Sequence, residues 1–315
     1  IVRSDGLKLT RENFNVYIKH NKSYKKKISL ICKNPFSVLY NPQSLYDLNT
    51  YVTKVHFNAI KNIISENKVD LIGFHGQTIY HNPSDKYSIQ LGNPQLLANL
   101  TGIKVIFEFR TNDIHHGGQG APLAPIYHKY LLKEIKAELP SCILNIGGIA
   151  NLTFWDGVDL IGFDTGPGNI LMDTFFQEKF QKNFDDNGNF ASLGNPKIKY
   201  ISKFLTDEFF IAKYPKSLDR EYFIKYLNYL KKQNLTDHDL MATLLEFTVI
   251  SVQRGILQLP KKPKLMLVTG GGYLNSYLLK KLKQRLKIKL INSKNFNFST
   301  DFVESELIAY LSARS

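Results

Sequence analysis

The chain has 315 residues, 43% hydrophobic and 22% charged, which is enough for two globular cores and unlike a disordered or collagen-like composition. Its only cysteines, Cys32 and Cys142, are too few and too far apart for a disulfide framework or a zinc ligand set. The formal charge of +14 favours an anionic partner, but the lysines at 22–27, 261–264 and 280–289 alternate with apolar positions as solvated faces do. That argues against dedicated nucleic-acid binding and leaves room for a small anion such as a nucleotide. No apolar run reads as a bilayer span and residues 1–6 carry no apolar signal-peptide core, so the expectation is a cytoplasmic protein with no membrane partner.

In chain order, residues 7–9, 15–18 and 28–32 read as short strands, and residues 49–67 as a helix with Val52, Val55, Ile60, Ile63 and Ile64 at helical spacing. A buried-strand signal at 69–74 ends on His75-Gly-Gln-Thr78, and another at 104–107 leads into Glu108-Phe-Arg110 and Gly117-Gly-Gln-Gly-Ala-Pro122. Cys142 lies in the next strand, 142–146, which stops at Gly147-Gly148; strand 160–163 stops at Asp164, and strand 265–268 at Gly270-Gly-Gly272. Helical patterns cover 170–180, 198–210, 240–257 and 276–286. Strands that each end in a glycine-rich turn indicate an α/β architecture with its site at the strands' carboxyl ends.

Glycine lets a backbone N–H approach an anion closely, and turns of that kind occur at Gly117-Gly118, Gly147-Gly148, Gly166-Pro-Gly168 and Gly270-Gly-Gly272. Neither a Walker loop nor a GxGxxG fingerprint is present, nor is a Gly-x-Ser-x-Gly elbow. Asp164 is placed between a strand and a glycine turn, with Asn169 as the expected cap of the helix behind it. On that segment alone it is equally a catalytic carboxylate or a turn residue bonding its own backbone. His75 is similarly open between a packed structural imidazole and a crevice-facing one. His115 and His116 project in different directions and offer no metal set.

Taken together the segments resemble the anhydro-N-acetylmuramic acid kinases, a family of the sugar kinase, actin and heat-shock-chaperone ATPase superfamily. The residues that carry the resemblance are Gly73-Phe-His-Gly-Gln-Thr78, Gln90-Leu-Gly-Asn93, Phe109-Arg110 with Asp113, Gly117-Gly-Gln-Gly-Ala-Pro-Leu123, Asn145-Ile-Gly-Gly-Ile-Ala-Asn151 and Phe163-Asp-Thr-Gly-Pro-Gly-Asn169. They continue with Leu171-Met-Asp173, Pro215-Lys-Ser217, Arg220 to Phe223, Ala242-Thr-Leu244, Gly270-Gly-Gly272 with Asn275, Phe302-Val-Glu304 and Ala309-Tyr-Leu311.

The resemblance implies an α/β fold of two actin-like (ribonuclease H-like) lobes, mixed sheets flanked by helices, with a nucleotide cleft between them. Residues 1–125 would form the first lobe and residues 126–315 the second, whose C-terminal helix can pack back on the first. It implies a kinase that uses ATP, Mg2+ and water to open the 1,6-anhydro ring of anhydro-N-acetylmuramic acid and phosphorylate O6, giving N-acetylmuramic acid 6-phosphate and ADP in cell-wall recycling. Asp164 matches the carboxylate that activates the water. Asn145, Gly147, Gly148, Gly166, Gly168, Gly270, Gly271 and Gly272 fall on the nucleotide side, together with Ser4, Asp5 and Gly6; His75, Gln77, Arg110, Gln119 and Glu304 fall on the sugar side. Magnesium would be held mainly by the ATP phosphates, Asn275 would cap a helix, and exposed faces of the second lobe leave a homodimer open.

Two departures stand out. The family opens on a strand and a Met-Ser-Gly-Thr-Ser-x-Asp-Gly hairpin, whereas this chain begins Ile1-Val-Arg-Ser-Asp-Gly6, so the expectation is a first lobe without its first strand and with a weaker phosphate grip. The family's Asp before Phe-Arg is Glu108. The alternative function these departures raise is a catalytically impaired remnant, or a sugar-binding or regulatory protein of the same fold.

Overall fold

The computed structural model describes the chain except residues 13, 83–84, 219, 293–295 and 297–301, and except the side chain of Arg220. It divides into two units, Ile1–Leu123 with Phe302–Ser315, and Ala124–Asp301.

The first unit contains β1 (Val2–Ser4), β2 (Leu9–Arg11), α1 (Lys22–Lys33), α2 (Phe36–Leu39), α3 (Pro42–Glu66), β3 (Leu71–Gly73), β4 (Gln77–Asn82), β5 (Tyr87–Leu91), α4 (Pro94–Thr101), β6 (Lys104–Ile106) and α5 (Phe109–His115). Strands β1 and β2 form an antiparallel hairpin, so residues 2–4 are a strand where the sequence suggested none. Strands β3 and β6 pair in parallel, and β4 and β5 form a second antiparallel hairpin. Residues 28–32 are helical, in the second half of α1, and not a strand. Tyr24, Ile28 and Ile31 are buried at helical spacing, and Asn21 caps the helix by accepting from Tyr24 N at 2.7 Å, which outweighs the β-propensity of the isoleucines. Residues 15–18 are likewise not a strand. The long helix α3 starts with Asn41 as cap and Pro42 at its first position, and α4 repeats the device with Asn93 and Pro94.

The second unit contains α6 (Ala124–Glu134), β7 (Ser141–Ile146), β8 (Ile149–Trp155), β9 (Leu160–Pro167), α7 (Ile170–Phe180), α8 (Ile198–Phe204), α9 (Glu208–Ile211), α10 (Ile224–Lys231), α11 (Asp237–Leu257), β10 (Leu265–Thr269), α12 (Ser276–Leu286) and β11 (Lys289–Asn292). The last helix, α13 (Val303–Ser312), belongs to the first unit, where it packs on β3. Its Glu306 accepts from Arg11 Nε through both carboxylate oxygens at 3.0 Å.

In the second unit five strands form one sheet in the order β11-β10-β7-β8-β9. Strands β7, β10 and β11 run parallel, β8 runs against β7, and β9 runs against β8. The carboxyl ends of β7, β9 and β10 therefore lie along the same edge. Helix α11 is buried against this sheet and is the only helix among the described residues long and apolar enough to cross a membrane; Leu244, Phe247, Val249 and Val252 have no exposed surface there. The helical pattern over 198–210 breaks into α8 and α9, because Asp207 accepts from Phe209 N at 3.1 Å and starts a new helix.

Candidate active site

Strand β9 extends to Pro167, so Asp164 lies inside it and not at its end; Gly166 and Pro167 continue the strand that the sequence suggested they stop. The pairing with β8 joins Asn151 to Asp164 and Ala150 to Gly166, which leaves Thr165 as an extra, unpaired residue. A bulge of this kind lets consecutive side chains turn to one face. Thr165 and Gly166 both meet α11: a Cβ on Gly255 would lie 2.6 Å from Thr165 Cγ2, and one on Gly166 would lie 2.8 Å from Ser251 Cβ. Asp164 is turned elsewhere. It is buried, and its Oδ2 accepts from Ser217 Oγ at 2.9 Å and from Leu218 N at 3.1 Å. Burial raises its pKa to about 6 against the opposing effect of these two bonds. A carboxylate poised there can take a proton near neutral pH.

The glycine turns assemble at the carboxyl edge of the sheet. Gly168 N donates to Gly148 O at 2.9 Å, Asn169 N to Gly147 O at 2.8 Å and Ile170 N to Gly148 O at 3.1 Å. The first amides of α7 are thus spent on the β7–β8 turn, and Gly166 and Gly168 serve close packing. Asn169 does not cap α7 with its side chain, which donates to Ile146 O at 3.3 Å. Gly270 has φ +76°, and a Cβ there would lie 2.7 Å from the Ile146 backbone, while one on Gly272 would lie 2.5 Å from Ile146 Cβ. Asn145 Oδ1 accepts from Thr269 Oγ1 at 3.4 Å, tying β7 to β10 at the same edge. Gly147, Gly148 and Gly271 are the open members: a Cβ on any of them would meet nothing nearer than 3.7 Å. Asn275 caps α12, accepting from Leu278 N at 2.9 Å.

The sugar-side candidates lie in the first unit. Arg110 Nε donates to His75 Nε2 at 2.9 Å, and Arg110 Nη1 donates to Gly120 O at 2.9 Å. His75 Nδ1 lies 3.1 Å from Gly76 O, so His75 is a neutral imidazole protonated on Nδ1; burial first, then Arg110, lowers its pKa. Asp113 Oδ2 accepts from Gly120 N at 2.7 Å and fixes the glycine loop on which Gln119 is exposed. Exposed Glu304 acts on Arg110 through its charge, opposing the burial that lowers the guanidinium's pKa. Gln77 is half-buried and donates to Thr78 O at 3.1 Å. Glu108 adopts φ +60°, a left-handed conformation uncommon for a non-glycine residue and tolerated better by Asp than by Glu.

Ser4, Asp5 and Gly6 form the β1–β2 turn and satisfy one another. Ser4 Oγ donates to Lys8 O at 2.7 Å and accepts from Gly6 N at 3.0 Å, and Asp5 Oδ1 accepts from Leu7 N at 2.8 Å and Lys8 N at 2.6 Å. The sequence assigned no role to Ser217, Leu218 or Asp173. The first two reach Asp164 from more than fifty positions away, a proximity no spacing encodes. Asp173 follows in the first turn of α7, where burial raises its pKa to about 7.

A sequence profile described as anhydro-N-acetylmuramic acid kinase matches residues 9–315. The anhydro-N-acetylmuramic acid kinase of Pelagibacter ubique is 37% identical over 100% of this chain and 87% of its own length. Those of Bradyrhizobium diazoefficiens and Phenylobacterium zucineum are 36% and 38% identical, each over 87% of this chain and over 75% and 76% of theirs. A glucokinase structure of the ROK family from Streptomyces griseus, in complex with glucose and AMPPNP, aligns with 84% of this chain and 88% of its own at 10% identity and a TM-score of 0.42, too loose to assign anything. With the Asp164 strand, the converging glycine turns and the His75–Arg110 pair all inside the matched residues, the chain belongs to the anhydro-N-acetylmuramic acid kinase family.

Proposed function

We propose that this protein is a kinase that opens the 1,6-anhydro ring of anhydro-N-acetylmuramic acid with water and phosphorylates O6, giving N-acetylmuramic acid 6-phosphate and ADP in cell-wall recycling. The observation that carries this assignment chemically is Asp164: a buried carboxylate with a pKa of about 6, held by two hydrogen bonds on a single oxygen. Its other oxygen takes the proton of a water as that water's oxygen bonds to the anomeric carbon. The C1–O6 bond breaks, O6 takes the γ-phosphoryl group, and the proton passes from Asp164 to solvent.

On the nucleotide side, the open glycines 147, 148 and 271 suit close approach of phosphate to backbone, while Gly166, Gly168, Gly270 and Gly272 are packing positions that shape the turns. On the same side, Ser4 Oγ and Asp5 Oδ1 are engaged within the β1–β2 turn and Gly6 O accepts from Arg314 Nη1 at 2.8 Å, so Ser4, Asp5 and Gly6 shape this turn rather than giving these groups to phosphate. The exposed backbones and the undedicated carboxylate of Asp173 fit an ATP that brings its own magnesium. That ion offsets phosphate charge during transfer. On the sugar side Arg110 keeps guanidinium donors beyond those given to His75 and Gly120. Those donors suit the lactyl carboxylate, with His75 and Glu304 orienting the guanidinium.

Two measurements test this assignment. The logarithm of kcat/KM should rise with unit slope up to about pH 6 and level off above it, because the base works only ionised and Asp164 ionises there. A profile flat from pH 5 to 8 would remove Asp164 as the base. Arg110→Lys should raise the KM for the sugar roughly tenfold with little change in the KM for ATP, since a point charge replaces a planar fork. An unchanged sugar KM would take Arg110 out of the binding site.

A further inference from the structure

The two groups that hold Asp164 come from the loop of residues 214–218, and a loop needs an anchor to keep hydrogen bonds at fixed length. Lys216 is that anchor. Its Nζ donates to Phe209 O at 3.0 Å and to Ala212 O at 2.8 Å, carbonyls at the carboxyl end of α9 that the helix itself leaves unpaired. The ammonium also lies 4.9 Å from the centre of the Phe209 ring. Gln258, just beyond α11, donates to Ala212 O at 3.1 Å, so the anchor point is tied to the core helix. From the same residue, Lys216 O accepts from Asp164 N at 2.9 Å, and the next two residues give Ser217 Oγ and Leu218 N to the carboxylate.

We propose that Lys216 is a positioning residue for the proposed reaction: its ammonium, bound to the end of α9, locks the loop so that Ser217 and Leu218 hold Asp164 in place and favour its charged form. The inference rests on Asp164 being the base. Burial raises the pKa of Asp164, and the two hydrogen bonds that oppose it both come from this loop. The charged group facing Lys216 is Arg254 of α11, which donates to Leu205 O at 2.6 Å and opposes the ammonium without reaching the carboxylate. The side chain of Lys216 is half-buried, and among the described residues no other side chain of 214–218 hydrogen-bonds to α9.

The test is the acid limb of kcat/KM against pH in Lys216→Met, Lys216→Arg and Ser217→Ala. With the lock gone, the two bonds that oppose burial are weakened, and the limb of Lys216→Met should move up by about one pH unit, the worth of one hydrogen bond to a charged acceptor. Lys216→Arg, which keeps donors for the α9 carbonyls, should return the limb most of the way. Ser217→Ala should move it in the same direction. If Ser217→Ala shifts the limb and Lys216→Met does not, Lys216 has no positioning role while Asp164 stands as the base. If neither variant shifts the limb and Asp164→Asn retains it, the base itself is misassigned. Should Lys216→Met fail to fold, Lys216→Ala also removes the charge and every donor to the α9 carbonyls, and an unmoved limb in that variant overturns the proposal equally.

Discussion

Asp164→Asn should lower kcat by about a hundred- to ten-thousandfold while leaving sugar and ATP binding in place, and at pH 7 it should make the protein more stable. The loss follows from removing the carboxylate proposed to accept the water's proton. The gain follows from the same burial that tunes the base. In the folded chain the pKa of Asp164 is raised to about 6, so folding favours the protonated form. Its contribution to stability is complete below the unfolded value near 4, declines as pH rises towards 6, and is then constant at its least favourable level. The rise from the ordinary carboxylate value to about 6 corresponds to on the order of 2–3 kcal/mol. Asparagine carries no charge to desolvate and its oxygen can still accept from Ser217 and Leu218. Urea unfolding at pH 7 and pH 4 checks the sign: the variant should gain at pH 7 and show little difference at pH 4. Equal stabilities at both pH values would mean that the carboxylate is not held against its solvation preference, and normal turnover would exclude it as the base.

How much of this site is written in the sequence depends on what each contact requires. The Gly147-Gly148 and Gly270-Gly-Gly272 turns of the second unit were legible because a turn after a buried strand has a local signature, and strand carboxyl ends collect at one edge in an α/β sheet, whereas Gly166 and Pro167 were read as a turn and are strand. Although of the two expected Asn caps only Asn275 of α12 forms, the bounds of helices α7 and α12 were legible to the residue from their apolar positions. Strands β8 and β11 were not. Ile149–Trp155 hides behind the Gly147-Gly148 turn as a continuation of β7, and Lys289–Asn292 is an edge strand of four residues in a lysine-rich stretch. The bulge at Thr165 was invisible because pairing register is set by the partner strand. The clamp on Asp164 was invisible for a related reason: Pro215-Lys-Ser217 has no periodicity of its own, and its meaning arises only when α9 ends beneath it. In the first unit, isoleucines at 28 and 31 suggested a strand by propensity, whereas the cap at Asn21 decided for helix.

The same distinction between packed and open glycines gives the second large effect. Gly168→Ala should destabilise the protein by on the order of 3 kcal/mol and reduce ATP affinity with it, whereas Gly271→Ala should change stability by less than about 0.5 kcal/mol. A methyl group on Gly168 would overlap the carbonyl of Gly147 and lie 2.9 Å from Ile149 C and 3.1 Å from Ala150 N. All three neighbours are backbone atoms of the β7–β8 turn and the start of β8, so no rotamer change relieves the contact. The turn would have to move away from α7, stretching the bonds from Gly168, Asn169 and Ile170 to Gly147 and Gly148 together, and the phosphate-side edge would lose its shape. At Gly271 the nearest neighbour of an added Cβ is Asn169 Nδ2 at 3.7 Å, an ordinary contact at an exposed position. Any loss of ATP affinity in Gly271→Ala would therefore come from crowding the nucleotide and not from unfolding. Urea midpoints and calorimetric titration with a non-hydrolysable ATP analogue separate the two. Unaltered stability in Gly168→Ala would show that the turn and the helix start are not held together as closely as their hydrogen bonds indicate, and unaltered ATP affinity in Gly271→Ala would move the phosphates away from this turn.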